Sequence, residues 1–128
     1  TSLIMDEIDA FLAAKEDAER RPSEQDLLDA PTLNPWRILQ EDGERIMRIY
    51  GRVKGHPTID DEFLTTSPLL GFDHTAGWAR TRSRWYRIGP DWQDVKGADR
   101  ENMADGLNDI IKLMSKRALA YYEAEVQH

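Results

Sequence analysis

Apolar positions in this chain follow helical spacing near both ends, and a strand-like alternation appears between them. Ile4, Ile8, Phe11 and Leu12 repeat along one helix face, which predicts a helix over residues 3–20. Ser2 suits its N-cap, and Pro22 ends it because proline lacks an amide donor. Ser23-Glu-Gln-Asp26 predicts a short helical turn through Leu27 and Leu28. Asn34 as N-cap and Pro35 at the first helical position then predict a second helix from Pro35 to about Tyr50. Its buried side would carry Trp36, Leu39, Ile46, Met47, Ile49 and Tyr50, and Gly51 or Gly55 would end it.

The texture changes after His56. Phe63–Phe72 is rich in strand formers, with Pro68 marking an edge or a bulge. Asp73-His-Thr-Ala-Gly77 reads as a turn and Trp78–Ile88 as a second strand, closed by Gly89-Pro90. Together they predict an antiparallel hairpin over about 63–88 at the centre of a small sheet, which one strand near 52–59 would extend. Asp99 caps a last helix over about 100–125, with Met103, Leu107, Ile110, Ile111, Met114, Ala118, Tyr121 and Tyr122 along its apolar stripe. The expected fold is therefore α+β, a β-hairpin covered by N-terminal, middle and long C-terminal helices, in one globular domain over residues 1–128.

Composition narrows the chemistry. At 128 residues, 40% of them hydrophobic, the chain can close a core without a metal or disulfide staple. It has no cysteine, which removes disulfides, thiolate zinc sites, iron–sulfur clusters and cysteine nucleophiles. No apolar run approaches the ~18 residues of a membrane span, and the first residues are acidic where a signal peptide would be basic, so the expectation is a cytoplasmic protein without membrane contact.

Net charge is -7 but uneven: residues 1–44 carry -8, residues 45–90 carry +4 and residues 91–128 carry -3. The positive third holds Gly77-Trp-Ala-Arg-Thr-Arg-Ser-Arg-Trp-Tyr-Arg-Ile-Gly89, with four arginines and no acid. In an unbroken strand one face would carry Trp78, Arg80, Arg82, Arg84 and Tyr86, and the other Ala79, Thr81, Ser83 and Trp85. The second face is the smaller and more apolar, so it is the one expected to pack and the arginine row the one expected in solvent. Arg45, Arg48, Arg52 and Lys54 form a second acid-free basic run; Arg45, Arg48 and Arg52 would share one face of the middle helix, and the run would add to the same basic surface. Basic side chains beside aromatics on a sheet are how several single-strand readers grip phosphate and base. The competing reading is that these arginines pair with Asp60, Asp61, Glu62 and the acidic helices, or simply hydrate.

No catalytic pattern stands out. His56, Asp60 and Asp61 fit no metal-ligand spacing, no serine lies in a nucleophile motif, and no glycine run forms a phosphate loop. No metal and no cofactor are expected.

Gly55-His-Pro57, Thr65-Thr-Ser-Pro-Leu-Leu70 and Gly77–Gly89 together resemble a motif of small uncharacterised alphaproteobacterial proteins found on chromosomes, plasmids and prophages. The likeness covers about residues 55–90 and brings no activity with it. It implies a bacterial cytoplasmic accessory protein, of the kind carried by mobile elements. The function expected is a non-enzymatic binding or regulatory protein whose basic-aromatic hairpin contacts nucleic acid or a nucleoprotein. The alternative is a protein-binding module or inhibitor that presents Asp9 and Glu16 of the acidic first helix to a basic partner.

Overall fold

A computed structural model describes the backbone over residues 3–41, 46–60, 62–94 and 99–127, and their side chains except 3–7, 41, 46, 101, 114–115 and 117–127. The element order is α1 (Leu3–Arg20), α2 (Glu24–Asp29), β1 (Thr32–Glu41), β2 (Ile46–Lys54), β3 (Phe63–Thr65), β4 (Leu69–Asp73), β5 (Trp78–Thr81), β6 (Trp85–Ile88) and α3 (Asp99–Gln127). The strands form one mixed sheet in the order β3-β2-β1-β6-β5-β4, antiparallel except for the parallel β1–β6 pair.

That order forces the sheet to curl. β3 and β4 lie at opposite edges, yet only residues 66–68 join them. Laid flat, six strands would separate the edges by about 24 Å, whereas the link reaches no more than about 14 Å. Pairing directions also make β3 and β4 run the same way, so they act as one extended segment interrupted at Thr66-Ser-Pro68. Buried Thr66 ties the link to β2. Its amide donates to the Ile49 carbonyl at 2.8 Å, and its Oγ1 accepts from the Ile49 amide at 3.0 Å.

The inner face is the main core. Leu33, Trp36, Met47, Ile49, Val53, Leu64, Phe72, Ala79, Tyr86 and Ile88 meet there, and Ala104, Leu107 and Ile111 of α3 complete it. Trp36 is fully buried, stacks on Trp92 at 5.0 Å and donates its indole N–H to the Gly89 carbonyl at 2.8 Å. A buried tryptophan holds its place most firmly when its N–H is satisfied in this way. On the opposite side of the sheet, α1 packs against β4 through Phe11, Ala14 and Leu70, and α2 brings Leu27 and Ala30 onto Trp78 and Trp85.

Several expectations hold. α1 spans 3–20, and α2 starts on a capping box in which Ser23 and Asp26 satisfy each other's amides. Residues 73–77 turn as expected: Gly77 takes φ 81 and donates to the Asp73 carbonyl at 2.8 Å. The terminal helix runs from Asp99 to Gln127, but of its expected stripe Leu107 and Ile111 are buried while Met103 and Ile110 are exposed. Met114, Ala118, Tyr121 and Tyr122 lie outside the described side chains, as does Ser2 outside the described backbone.

The fold class is corrected. The molecule is not a hairpin covered by three helices; it is a curled six-stranded mixed sheet with helices at its β4–β6 side. The middle helix expected over 35–50 is instead the β1–β2 pair. Strict alternation of Met47, Ile49 and Val53 with Arg48, Tyr50 and Arg52 buries the first set on one sheet face, which a helix could not do. Asn34-Pro35, taken for a helix start, is a cis peptide at an irregularity in β1. Gly51 does not end a helix. It lies where β2 passes closest to β1, and a Cβ there would meet the Pro35 carbonyl at 2.8 Å. The hairpin over 63–88 is also revised: residues 63–65 pair with β2 at one edge, while 69–73 pair with β5 at the other.

Candidate nucleic-acid interface

The expected arginine row depended on Trp78–Ile88 being one strand. The segment turns at residues 82–84 instead, so β5 and β6 face each other as a tight antiparallel pair. Thr81 fixes the turn: its Oγ1 accepts from the Ser83 and Arg84 amides, each at 3.3 Å, and its amide donates to the Arg84 carbonyl at 3.0 Å. This is the side-chain turn that threonine favours. It reverses the face of everything after it. Trp85 joins Trp78 and Arg80 on the outer side, and Tyr86 joins Ala79 in the core.

The outer side of β5–β6 is then covered over Trp78, Arg80 and Trp85, while Arg87, opposite Trp78, stays exposed. Trp78 and Trp85 are buried edge to face at 5.5 Å beneath α2. Arg80 is held at 3.3 Å from Asp17 of α1 and 5.1 Å above the Trp85 ring, with its side chain only 13% exposed. Burial pushes its guanidinium below its ordinary value, and Asp17 and Asp26 oppose that shift. Arg82 is exposed in the turn. Arg84 is half-buried and close enough to Tyr86 to temper the rise that burial imposes on its phenol. Five residues expected on one exposed face, Trp78, Arg80, Arg82, Arg84 and Tyr86, are therefore distributed over a covered outer side, a turn and the core.

The other basic run meets a different fate. Arg45 lies outside the described residues. Arg48 and Arg52 share the outer face of β2 with Tyr50 and Lys54. Strand pairing brings Arg37 opposite Tyr50, Leu39 opposite Arg48, and Phe63 opposite Arg52. The described helix packing falls on β4, β5 and β6, and leaves this face open. Tyr50 and Phe63 are 39% and 43% exposed, and their rings stack at 5.7 Å with an interplanar angle of 11°.

Four cations surround this aromatic pair, each with an identifiable role. Arg48 donates to the Thr66 carbonyl at 3.1 Å, which fixes it over the β3–β4 link. Arg52 approaches Glu62 at 3.4 Å, and Arg37 approaches Asp94 at 3.7 Å, both half-exposed pairs that contribute little to stability. Lys54 is exposed at the end of β2, just before Gly55, which takes φ 81. Beyond it His56 closes a small turn, its Nδ1 accepting from the Thr58 and Ile59 amides at 3.1 and 3.0 Å. Burial, and secondarily Arg84, push the His56 imidazole below its ordinary value.

Sequence reasoning placed Lys54 in the basic surface but missed Tyr50, Phe63 and Arg37 as surface partners, and placed Tyr50 on a buried helix side. The available signal was the period-two alternation of 47–54, flanked upstream by Asp42-Gly43, a pair favoured in hairpins. Asp9 and Glu16, the acidic alternative, are exposed on α1 with Leu12, 36% exposed, between them.

Residues 4–123 match a family model described as a family of unknown function, DUF6634. The chain belongs to that family. The match extends well beyond the 55–90 motif and takes in α1, both long strands and most of α3. No match was found among the curated proteins or among the solved structures. Among the described residues no helix is long and apolar enough to cross a membrane.

Proposed function

We propose that this protein is a non-enzymatic binding protein that contacts single-stranded nucleic acid through the outer face of β1–β2–β3. The observation that carries this reading is the Tyr50–Phe63 stack, exposed on an uncovered sheet face and flanked by Arg37, Arg48, Arg52 and Lys54. Flat aromatic faces accept bases of any sequence by stacking, and the surrounding cations neutralise phosphates. The strands present both groups on one sheet face. Arg82 is exposed in the β5–β6 turn, whose Arg84 lies near His56 at the end of β2. Combined with the motif resemblance, this describes a bacterial cytoplasmic accessory protein of the kind mobile elements carry.

Fluorescence polarisation with short single-stranded DNA and RNA tests the reading. Affinity should fall with salt at a log–log slope of about -0.7 per phosphate contacted. Tyr50→Ala with Phe63→Ala should weaken binding by roughly 1–3 kcal/mol per stacked base, and Arg52→Glu with Lys54→Glu should abolish it at physiological salt. Absence of binding at low salt, or full binding by the double aromatic variant, overturns it.

The second reading rests on the exposed Asp9–Leu12–Glu16 stripe of α1, which mixes charge with an apolar contact as a docking helix does. It expects a basic protein partner that is lost on Asp9→Lys with Glu16→Lys and retained in the β2–β3 variants.

A further inference from the structure

A second cationic feature lies where α1, β4 and α3 meet around a cleft of about 350 Å³. Lys15 and Arg21 line it from α1, and Lys112 and Lys116 from α3. The last two are one helical turn apart and project to the same side. Two acids also line the cleft, and both are engaged: Glu19 with Lys15 at 3.2 Å, and Asp73 with Arg21 in a close ion pair. Neither Lys112 nor Lys116 meets an acid among the described residues. In a chain of net charge -7, that sets two lysines without an acid partner among the described residues in one concave site.

Its floor is where α1 packs closely on β4. Gly71 contributes no side chain, and a Cβ there would meet Ala18 at 2.7 Å and Trp78 at 3.2 Å. Arg21 closes the rim from a left-handed backbone at φ 76, a conformation unfavourable for arginine, and its guanidinium lies 5.8 Å from the Trp78 ring centre. Two lining residues carry buried polar atoms without a protein partner among the described residues, Asn108 Oδ1 and Trp78 Nε1.

We infer that this cleft binds a small phosphate-bearing organic ligand, with its phosphate between Lys112, Lys116 and Lys15 and its apolar body against Gly71 and Trp78. A volume of this size suits a ligand of nucleoside-monophosphate dimensions. The site is separate from the β1–β2–β3 face and does not depend on it.

Titrating the isotopically labelled full chain with AMP, and separately with inorganic phosphate, tests the inference. AMP should saturate and move the Trp78 indole signal, identified by Trp78→Phe, together with amides of 15–21, 70–73 and 108–116. Lys112→Ala with Lys116→Ala should weaken AMP binding at least about tenfold, a loss near 1.4 kcal/mol, while Tyr50→Ala with Phe63→Ala leaves it unchanged. Inorganic phosphate should bind the same amides more weakly, because it lacks the apolar body. Shifts confined to β2 and β3, insensitivity to the lysine changes, or phosphate binding as tight as AMP overturns the inference. Circular dichroism of each variant confirms that the fold is retained.

Discussion

The β1–β2 and β5–β6 pairs both carry arginines alternating with aromatic residues, yet they end in opposite environments. On β5–β6 Arg80 and both tryptophans are covered by α1 and α2, so Arg80 is spent on Asp17 and on the Trp85 ring, while Arg87 of the same face stays exposed. On β2 the outer arginines flank Tyr50 and Phe63, which no described helix packs over. Charge density alone therefore does not mark an interface. What matters is whether a helix reaches that part of the sheet, and β4–β6 are the strands that α1, α2 and α3 reach. Of the richer basic run Arg80 became structure while Arg82 and Arg87 stay exposed; what sets the β2 face apart is its exposed aromatic pair beside Arg52 and Lys54.

The largest expected contrast is in stability. Trp78→Ala removes a buried ring from beneath two helices and should cost about 3–5 kcal/mol. Phe63→Ala, 43% exposed, should cost less than about 1 kcal/mol. Urea melts of the two variants check this, and a Phe63→Ala loss comparable to that of Trp78→Ala would show that the β2–β3 face is covered after all.

The ion pairs should differ in the same direction. Asp17→Asn removes the carboxylate 3.3 Å from the part-buried Arg80, and should cost about 1–3 kcal/mol, the penalty of leaving a largely desolvated polar group unmatched. Arg52→Gln breaks a half-exposed pair with Glu62 and should cost under about 1 kcal/mol. Thermal melts at low and high salt separate them: the Arg52 effect should fade with salt and the Asp17 effect should persist.

The smallest effect concerns pH at the tip of β2. His56 has a folded-state value below its unfolded one because burial, and then Arg84, disfavour the imidazolium. The unfolded chain therefore binds the proton more readily. The contribution is fully present above the ordinary imidazole value of 6.5 and is lost as pH falls through the lower folded value. Protonation also places a hydrogen on Nδ1, which removes the acceptor for the Thr58 and Ile59 amides. Melting temperature should decline slightly over that window, and His56→Asn should flatten the decline. A rise in stability on acidification would refute the assignment.

Local sequence determined the features that local chemistry controls. The 3.6-residue spacing and Pro22 gave α1, the reciprocal Ser23–Asp26 cap gave α2, and Asp73–Gly77 gave its turn, because the interactions responsible lie within a few residues. Segment 35–50 was ambiguous at that range. Asn34-Pro35 imitates a helix start, and Trp36, Leu39, Ile46 and Ile49 fit a helix face as well as a sheet; only pairing of β1 with β2 and β6 decides the matter. The break at 82–84 is likewise local in mechanism, through Thr81, but its consequence is tertiary, since it moves Trp85 under α2 and Tyr86 into the core. Which arginines remain at the surface was set last. It depends on the three-residue link at Thr66-Ser-Pro68, which curls the sheet, and on helices far away in sequence that cover one side of it and leave the other open. Period and composition report how a side chain is oriented on its own element, whereas exposure depends on what packs over that element, and that is a property of the whole chain.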